Sequence, residues 1–233
     1  MRTGGSRERS RRGRKPKPVG VQRRGVAGRL STGIDILDRQ LDGGIPPGSI
    51  VLLAADPASQ SELFLYELTG VRSTLYLTTI RSDQAVRDAI DRATGPVGTP
   101  TLRDVGGNAP LDTANRFVRD LPEGANLIID AVDVLEETEP ARYRQFLNEL
   151  QTHMINTGGL AVVHGMKGEA EPENRAFTKH MADVVFDLRT RIDGSEIENR
   201  LAVPKFRGGR PPEETIKLRL GDRVTVDTSR DIA

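Results

Sequence analysis

The sequence predicts an α/β protein: a mostly parallel sheet with helices on both faces, finished by an antiparallel meander. Three observations predict it. Short apolar runs alternate with helical patterns from residue 50 to residue 188, the order that builds parallel sheets. Two of those runs, NLIIDAV and LAVVHG, are apolar without a period of two, as in strands buried on both sides. The chain then closes on NRLAVPKFRG, TIKLRL and RVTVDT, with Gly221-Asp222 as a tight turn between the last two. At 233 residues with 36% hydrophobic content, one large domain with a real core fits best.

Taken in order, the body opens with STGIDILDRQLDGG, in which Ser31 or Thr32 is the candidate N-cap. Ile34, Leu37 and Leu41 share one helical face there, and Gly43-Gly44 is the stop. IPPGS is a turn. Strands are expected at Ile50–Ala54, Thr74–Thr78, Leu127–Ala131, Leu160–His164 and Val184–Leu188. Helices are expected at Ser61–Thr69, Asp83–Ala93, Pro110–Asp120, Arg142–Asn156 and Glu173–Met181. No internal repeat is visible.

Residues 1–29 differ from the rest. They hold eleven of the 34 Lys and Arg but one of the 33 Asp and Glu, so the body carries 23 basic against 32 acidic residues. Gly, Pro and charge without periodicity predict a disordered basic tail on a domain of residues 30–233. The tail reads as an arm that neutralises nucleic-acid phosphates, as a solvated tail, or as the product of a start codon assigned upstream of a true start at Val19, Val21 or Val26. An acidic body would be repelled by the same nucleic acid. Lysine is scarce in the body (Lys167, Lys179, Lys205 and Lys217), a balance that suits a salt-rich cytoplasm or a GC-rich genome.

Composition excludes several classes of chemistry. Without cysteine there are no disulfides or thiolate metal sites, and His153, His164 and His180 are too scattered for a zinc set. No metal and no cofactor are expected. No run approaches the roughly 18 apolar residues of a spanning helix, and no apolar segment follows the basic amino terminus, so a cytoplasmic protein without membrane contact is expected.

Several stretches resemble the KaiC-like branch of the RecA superfamily of P-loop ATPases, over Leu30 to about Asp227. LSTGIDILDRQLDGGIPPGSIVLL is similar to the branch's opening and STLYLTT to its second strand. NLIIDAVDVL is similar to its Walker B strand, with Asp130 at the end, and LAVPKFRGG to its basic late hairpin. The sequence also resembles haloarchaeal proteins called HTR-like or RecA-superfamily ATPase, with lysine-poor loops and similar endings. The resemblance implies a RecA-like fold.

It also implies a site whose chemistry is missing. A working loop, G-x-x-x-x-G-K-[ST], wraps phosphates with backbone N–H groups, reaches them with lysine and holds magnesium with a hydroxyl. Those four places fall on Ala55, Gln60, Ser61 and Glu62. The cation is replaced by a neutral hydroxyl and the magnesium ligand by a carboxylate. At a few ångströms that carboxylate opposes triphosphate binding by on the order of several kcal/mol. SQSE, Ser59 to Glu62, matches an S-x-x-E capping box that would satisfy the helix N-terminus by itself. The paired glutamates that activate water in the relatives fall on Ile80 and Arg81, neither a base at neutral pH.

Asp130 remains, as a Walker B-like residue or as a cap of the following turn. His164, at the carboxyl end of a central strand, reads as a packed, hydrogen-bonded residue on the edge where such sheets hold ligands. Lys205 and Arg207 resemble the basic pair that reaches a neighbouring subunit's nucleotide in ring-forming relatives. Here they are expected to pair with carboxylates, with a subunit contact as one setting for that pairing. No catalytic residue is assigned. The expected function is that of an inactive KaiC-like pseudo-ATPase, a regulatory or scaffolding protein with a protein partner and a possible homo-oligomer. The alternatives are a weak ATPase that recruits Asp130 with Arg81 or Lys167, and a nucleic-acid module working through its tail.

Overall fold

A computed structural model of the chain describes residues 28–227 together with Met1. The expectations for the basic tail therefore lie outside the described residues, apart from its edge. There Arg29 donates to the Gly208 carbonyl at 2.9 Å and lies over the Phe206 ring, 5.2 Å from its centroid.

Nine strands form one sheet: β1 (Ser49–Ala55), β2 (Thr74–Thr78), β3 (Thr101–Asp104), β4 (Asn126–Asp130), β5 (Leu160–Met166), β6 (Val184–Asp193), β7 (Glu196–Phe206), β8 (Ile216–Leu220) and β9 (Val224–Val226). Their order is β3-β2-β4-β5-β1-β6-β7-β8-β9, parallel through β6 and antiparallel beyond it. The helices are α1 (Asp35–Gln40), α2 (Glu62–Thr69), α3 (Asp83–Arg92), α4 (Pro110–Arg119), α5 (Asp133–Glu136), α6 (Pro140–Thr157) and α7 (Arg175–Met181). The expected α/β class, with helices on both faces and a carboxyl-terminal meander, is what the chain adopts.

Alternation along the central strands divides the core in two. Val51, Leu53 and Ala55 of β1 join Ile128, Leu160 and Val162 under α1, α2 and α3. Ile50, Leu52 and Ala54 join Leu127, Ile129, Ala161 and Val163 under α4 and α6. Each central strand is apolar on both sides because each side meets a helical layer. None of the helices among the described residues is long and apolar enough to cross a membrane.

Three local expectations are corrected. Ser31 and Thr32 do not cap α1. Their hydroxyls donate to the Asp38 carboxylate at 2.5 and 2.8 Å, while Ile34 occupies the N-cap position without a side-chain cap. The intervening Gly33, at φ +85°, lies where an added Cβ would be 2.7 Å from the Glu67 carbonyl oxygen, so the chain turns once more before the helix starts. Two elements appear where no periodicity foretold them. β3 is a polar edge strand with only Leu102 buried, and α5 is a single turn after β4. The meander is also longer than expected, because β6 and β7 pair out to Asp193 and Glu196.

At the far edge, β9 is tied to α2: the Val224 amide donates to the Glu67 carboxylate, which is buried. Burial raises the Glu67 pKa, against the hydrogen bond from Val224, which lowers it.

Candidate functional site

Register and parity bring the site together. Asp130, the last residue of β4, is the ladder partner of His164 in β5. Both follow residues that point to the α2 layer, Ile128 and Val162, by two positions, so both side chains project to that same face. Side chains directly opposite on neighbouring strands touch. The carboxylate and the imidazole meet at 2.8 Å, Oδ1 to Nδ1.

The first turn of α2 covers that face. Ser61 occupies its N-cap position with φ −62° and ψ −25°, and its Oγ lies 3.1 Å from His164 Nε2. Tyr76, on β2, donates to the other Asp130 oxygen at 2.6 Å, and Arg81 reaches the same oxygen at 2.9 Å. Arg81 also donates to the Tyr66 hydroxyl at 3.1 Å. Ser61, Asp130 and His164 are 3%, 8% and 9% exposed. Even so, they line a cleft of about 280 Å³ with Glu62, Ile80 and Arg81.

The electrostatics follow from this geometry. Burial on its own would raise the Asp130 pKa. The hydrogen bond and charge of His164, the Tyr76 hydroxyl and the Arg81 guanidinium outweigh it and hold the group down to about 2. Burial pushes Tyr76 well up, and the neighbouring Asp130 charge pushes it further. Burial opposes the Arg81 charge, but Tyr66 and Asp130 more than offset this and raise its pKa. With Asp130 ionised, the Asp130–His164 contact needs its proton on Nδ1. In the neutral ring Nε2 is then the acceptor for the Ser61 hydroxyl.

The expected capping box does not form. The Ser59 hydroxyl donates instead to the Asp56 carbonyl at 2.6 Å, and its amide bonds the same oxygen at 2.9 Å. A tight turn thus takes Ser59, and α2 starts two residues later than a box would require. Among the described residues the Glu62 side chain makes no hydrogen bond or ion pair, and the amides of Ser61 and Glu62 have no acceptor. The helix N-terminus is not closed by its own side chains, contrary to expectation.

Other expected roles move as well. Asp130 does not cap the turn after β4; both its oxygens are taken by His164, Tyr76 and Arg81. Ile80 is exposed at the cleft, and Ala55 and Gln60 flank the turn with no part in the network. Lys167, the other candidate cation, is held by Asp187 at 2.6 Å and by the Leu188 carbonyl at 2.7 Å. Lys205 pairs with no carboxylate among the described residues: it donates to the carbonyls of Lys179 and His180, at 2.9 and 2.7 Å, where the end of α7 leaves acceptors open. Arg207 contacts the carbonyls of His180 and Met181 and, at 3.4 Å, Asp183.

A second polar cluster, which sequence reasoning missed, lies behind the first. Arg175, 1% exposed, bonds Glu136 Oε2 and Asp133 Oδ1 at 2.7 Å each and the Met166 carbonyl at 2.8 Å. Thr178 donates to Glu136 and meets the Tyr143 hydroxyl at 2.7 Å. Burial raises the Glu136 pKa against the opposing Thr178 and Arg175 contacts. A Cβ at Gly165 would lie 2.7 Å from the Arg175 guanidinium carbon, so glycine there leaves room for the arginine. The signal was Asp133 and Glu136, three apart, directly after the β4 strand.

A family model described as "Family of unknown function (DUF7125)" matches residues 29–233. The chain belongs to this family. Among solved structures, this DUF7125 protein is similar to the KaiC-like protein PH0186 from Pyrococcus horikoshii OT3, with TM-score 0.70 and 17% identity over 85% of this chain and 98% of that one. It is also similar to the flagellar accessory protein FlaH from Methanocaldococcus jannaschii, with TM-score 0.67 and 14% identity over 87% of this chain and 99% of that one. Among curated proteins, the DNA repair protein RadA of Mycobacterium tuberculosis (strain H37Rv) is 42% identical over 66 residues, 26% of this chain. The chain spans only 14% of RadA's length in that match. The DUF7125 chain has the KaiC-like, RecA-superfamily fold that its motifs implied.

Proposed function

We propose that this protein is a KaiC-like RecA-fold pseudo-ATPase, a cytoplasmic regulatory or scaffolding protein that works through protein contacts. One observation supports this reading above the others. The residue in the place of the phosphate-binding lysine, Ser61, is bonded to His164, while the cation lining the cleft, Arg81, is engaged by Asp130 and Tyr66. A triphosphate would meet the Glu62 carboxylate and would have to draw Arg81 away from its partners. The unpaired amides of Ser61 and Glu62 offer less than that repulsion takes away.

Contact with a protein partner is supported by the outer end of the meander. Ile192 and Ile197 are ladder partners near the β6–β7 turn and are 75% and 68% exposed, an apolar pair on an otherwise polar hairpin end. Titration calorimetry of the full chain with ATP and magnesium tests the loss of nucleotide chemistry. No binding heat is expected up to millimolar nucleotide, and micromolar affinity would sink the pseudo-ATPase reading in favour of a weak ATPase with a remodelled site.

A further inference from the structure

The hydrogen-bonded series Ser61 Oγ, His164 Nε2, His164 Nδ1 and Asp130 Oδ1, with contacts of 3.1 and 2.8 Å, is the arrangement that makes a serine hydroxyl nucleophilic. We propose that Ser61, His164 and Asp130 form an acyl-transfer site for small uncharged or cationic carboxylic esters, with Ser61 as nucleophile, His164 as general base and Asp130 as the residue that positions the imidazole. This goes beyond the pseudo-ATPase reading, because it concerns what the remodelled cleft does rather than what it has lost.

Four observations carry it. All three residues line a cleft of about 280 Å³, large enough for a small acyl group. Their chain order, serine then aspartate then histidine, matches that of the α/β-hydrolases, in which the nucleophile also stands between a strand and a helix. The backbone differs, since Ser61 is in the ordinary right-handed helical region rather than on a strained turn. At the nucleophile, the amides of Ser61 and Glu62 have no acceptor among the described residues, leaving donors for a developing oxyanion. Finally, Arg81 is engaged by Asp130 while the Glu62 carboxylate has no ion pair among the described residues, so an anionic substrate would meet Glu62 with the neighbouring cation already taken. That selects against anionic substrates.

The chemistry balances without an added cofactor. Ser61 Oγ adds to the ester carbonyl carbon while its proton passes to His164 Nε2 and the carbonyl electron pair moves onto oxygen. Collapse breaks the bond to the leaving oxygen, which takes the proton from the imidazolium and departs as the alcohol, leaving acylated Ser61. Water adds to that acyl carbon and gives a proton to Nε2. The carboxylic acid then leaves, and the proton returns to Ser61. One ester and one water become one acid and one alcohol.

The test uses the folded full chain, a fluorophosphonate probe with peptide mapping, and p-nitrophenyl acetate. One label per chain is expected on Ser61, with none on the heat-unfolded chain. Ser61→Ala should abolish labelling and site-dependent ester turnover, and His164→Gln should slow labelling about a hundredfold or more. Asp130→Asn should lower the limiting rate of labelling while leaving the probe's half-saturating concentration unchanged, which a role in packing alone would not produce. A folded wild-type chain that takes no label at Ser61 overturns the proposal. So does a folded Ser61→Ala chain that hydrolyses the ester at the wild-type rate. Should Ser61→Ala not fold, mapping of the wild-type label decides. None of these outcomes bears on the calorimetry with ATP.

Discussion

Two polar clusters lie at the carboxyl end of the central strands, and they are built to opposite rules. In the cluster of Arg175, Asp133 and Glu136, the guanidinium meets two carboxylates and a carbonyl with almost no exposure. In the cluster of Ser61, His164, Asp130 and Arg81, the groups are also hydrogen-bonded, but one side opens on a cleft and Arg81 remains part-exposed. The closed cluster ties α5, the end of β5 and α7 together. The open one faces whatever enters the cleft. A buried charge is tolerated only while its partners stay in place, whereas groups with shifted pKa values at a cleft are candidates for a functional site.

The difference predicts where a mutation is felt. The largest effect on folding belongs to Arg175→Met, which leaves Asp133 and Glu136 buried without their cation. About 3–5 kcal/mol should be lost in urea unfolding, and a loss below about 1 kcal/mol would mean the cluster is not closed as described. Next comes acid lability in the open cluster. The Asp130 pKa is lowered on folding, from 3.8 to about 2. Its contribution is therefore complete above about pH 4 and disappears as pH falls through about 2. The shift amounts to on the order of 2 kcal/mol. Asp130→Asn should remove that part of the acid limb while lowering stability at neutral pH, which unfolding curves at pH 7, 4 and 2.5 would reveal. Parallel curves for the two proteins would break the assignment. The smallest effect is that of Ser59→Ala, which removes one hydroxyl contact to the Asp56 carbonyl at an exposed turn. About 0.5 kcal/mol is expected; a loss near 1 kcal/mol or above would restore the N-cap role.

Much of the fold was legible because apolar runs such as Ile50–Ala54 and Leu160–His164 coincide with buried strands. β3 was not, since three of the four residues from Thr101 to Asp104 are exposed and a polar edge strand has no apolar pattern to read. The site was legible one residue at a time. Asp130, Ser61, His164 and Arg81 each drew attention, but their meeting depends on the β4–β5 register, which a single sequence does not specify. SQSE had the spacing of a capping box, and a competing turn at Asp56 won. Arg175 gave no sign, because an arginine in ENRAF looks like any solvated one until Gly165 is placed beside it.

The bond between Val224 and Glu67 makes the far edge of the sheet a brace for the site. α2 carries Ser61 at its start and Glu67 two residues before its end, so the helix is pinned at one end by His164 and at the other by the last strand. The two pins stand on opposite sides of the sheet order: β5 lies among the parallel strands, and β9 ends the meander. Alignment of the hydroxyl with the imidazole is thus mechanically linked to a strand that contributes no residue to the cleft. Anything that grips or releases that edge would act on Ser61 as a lever acts through its fulcrum, from more than a hundred and fifty residues away in the chain.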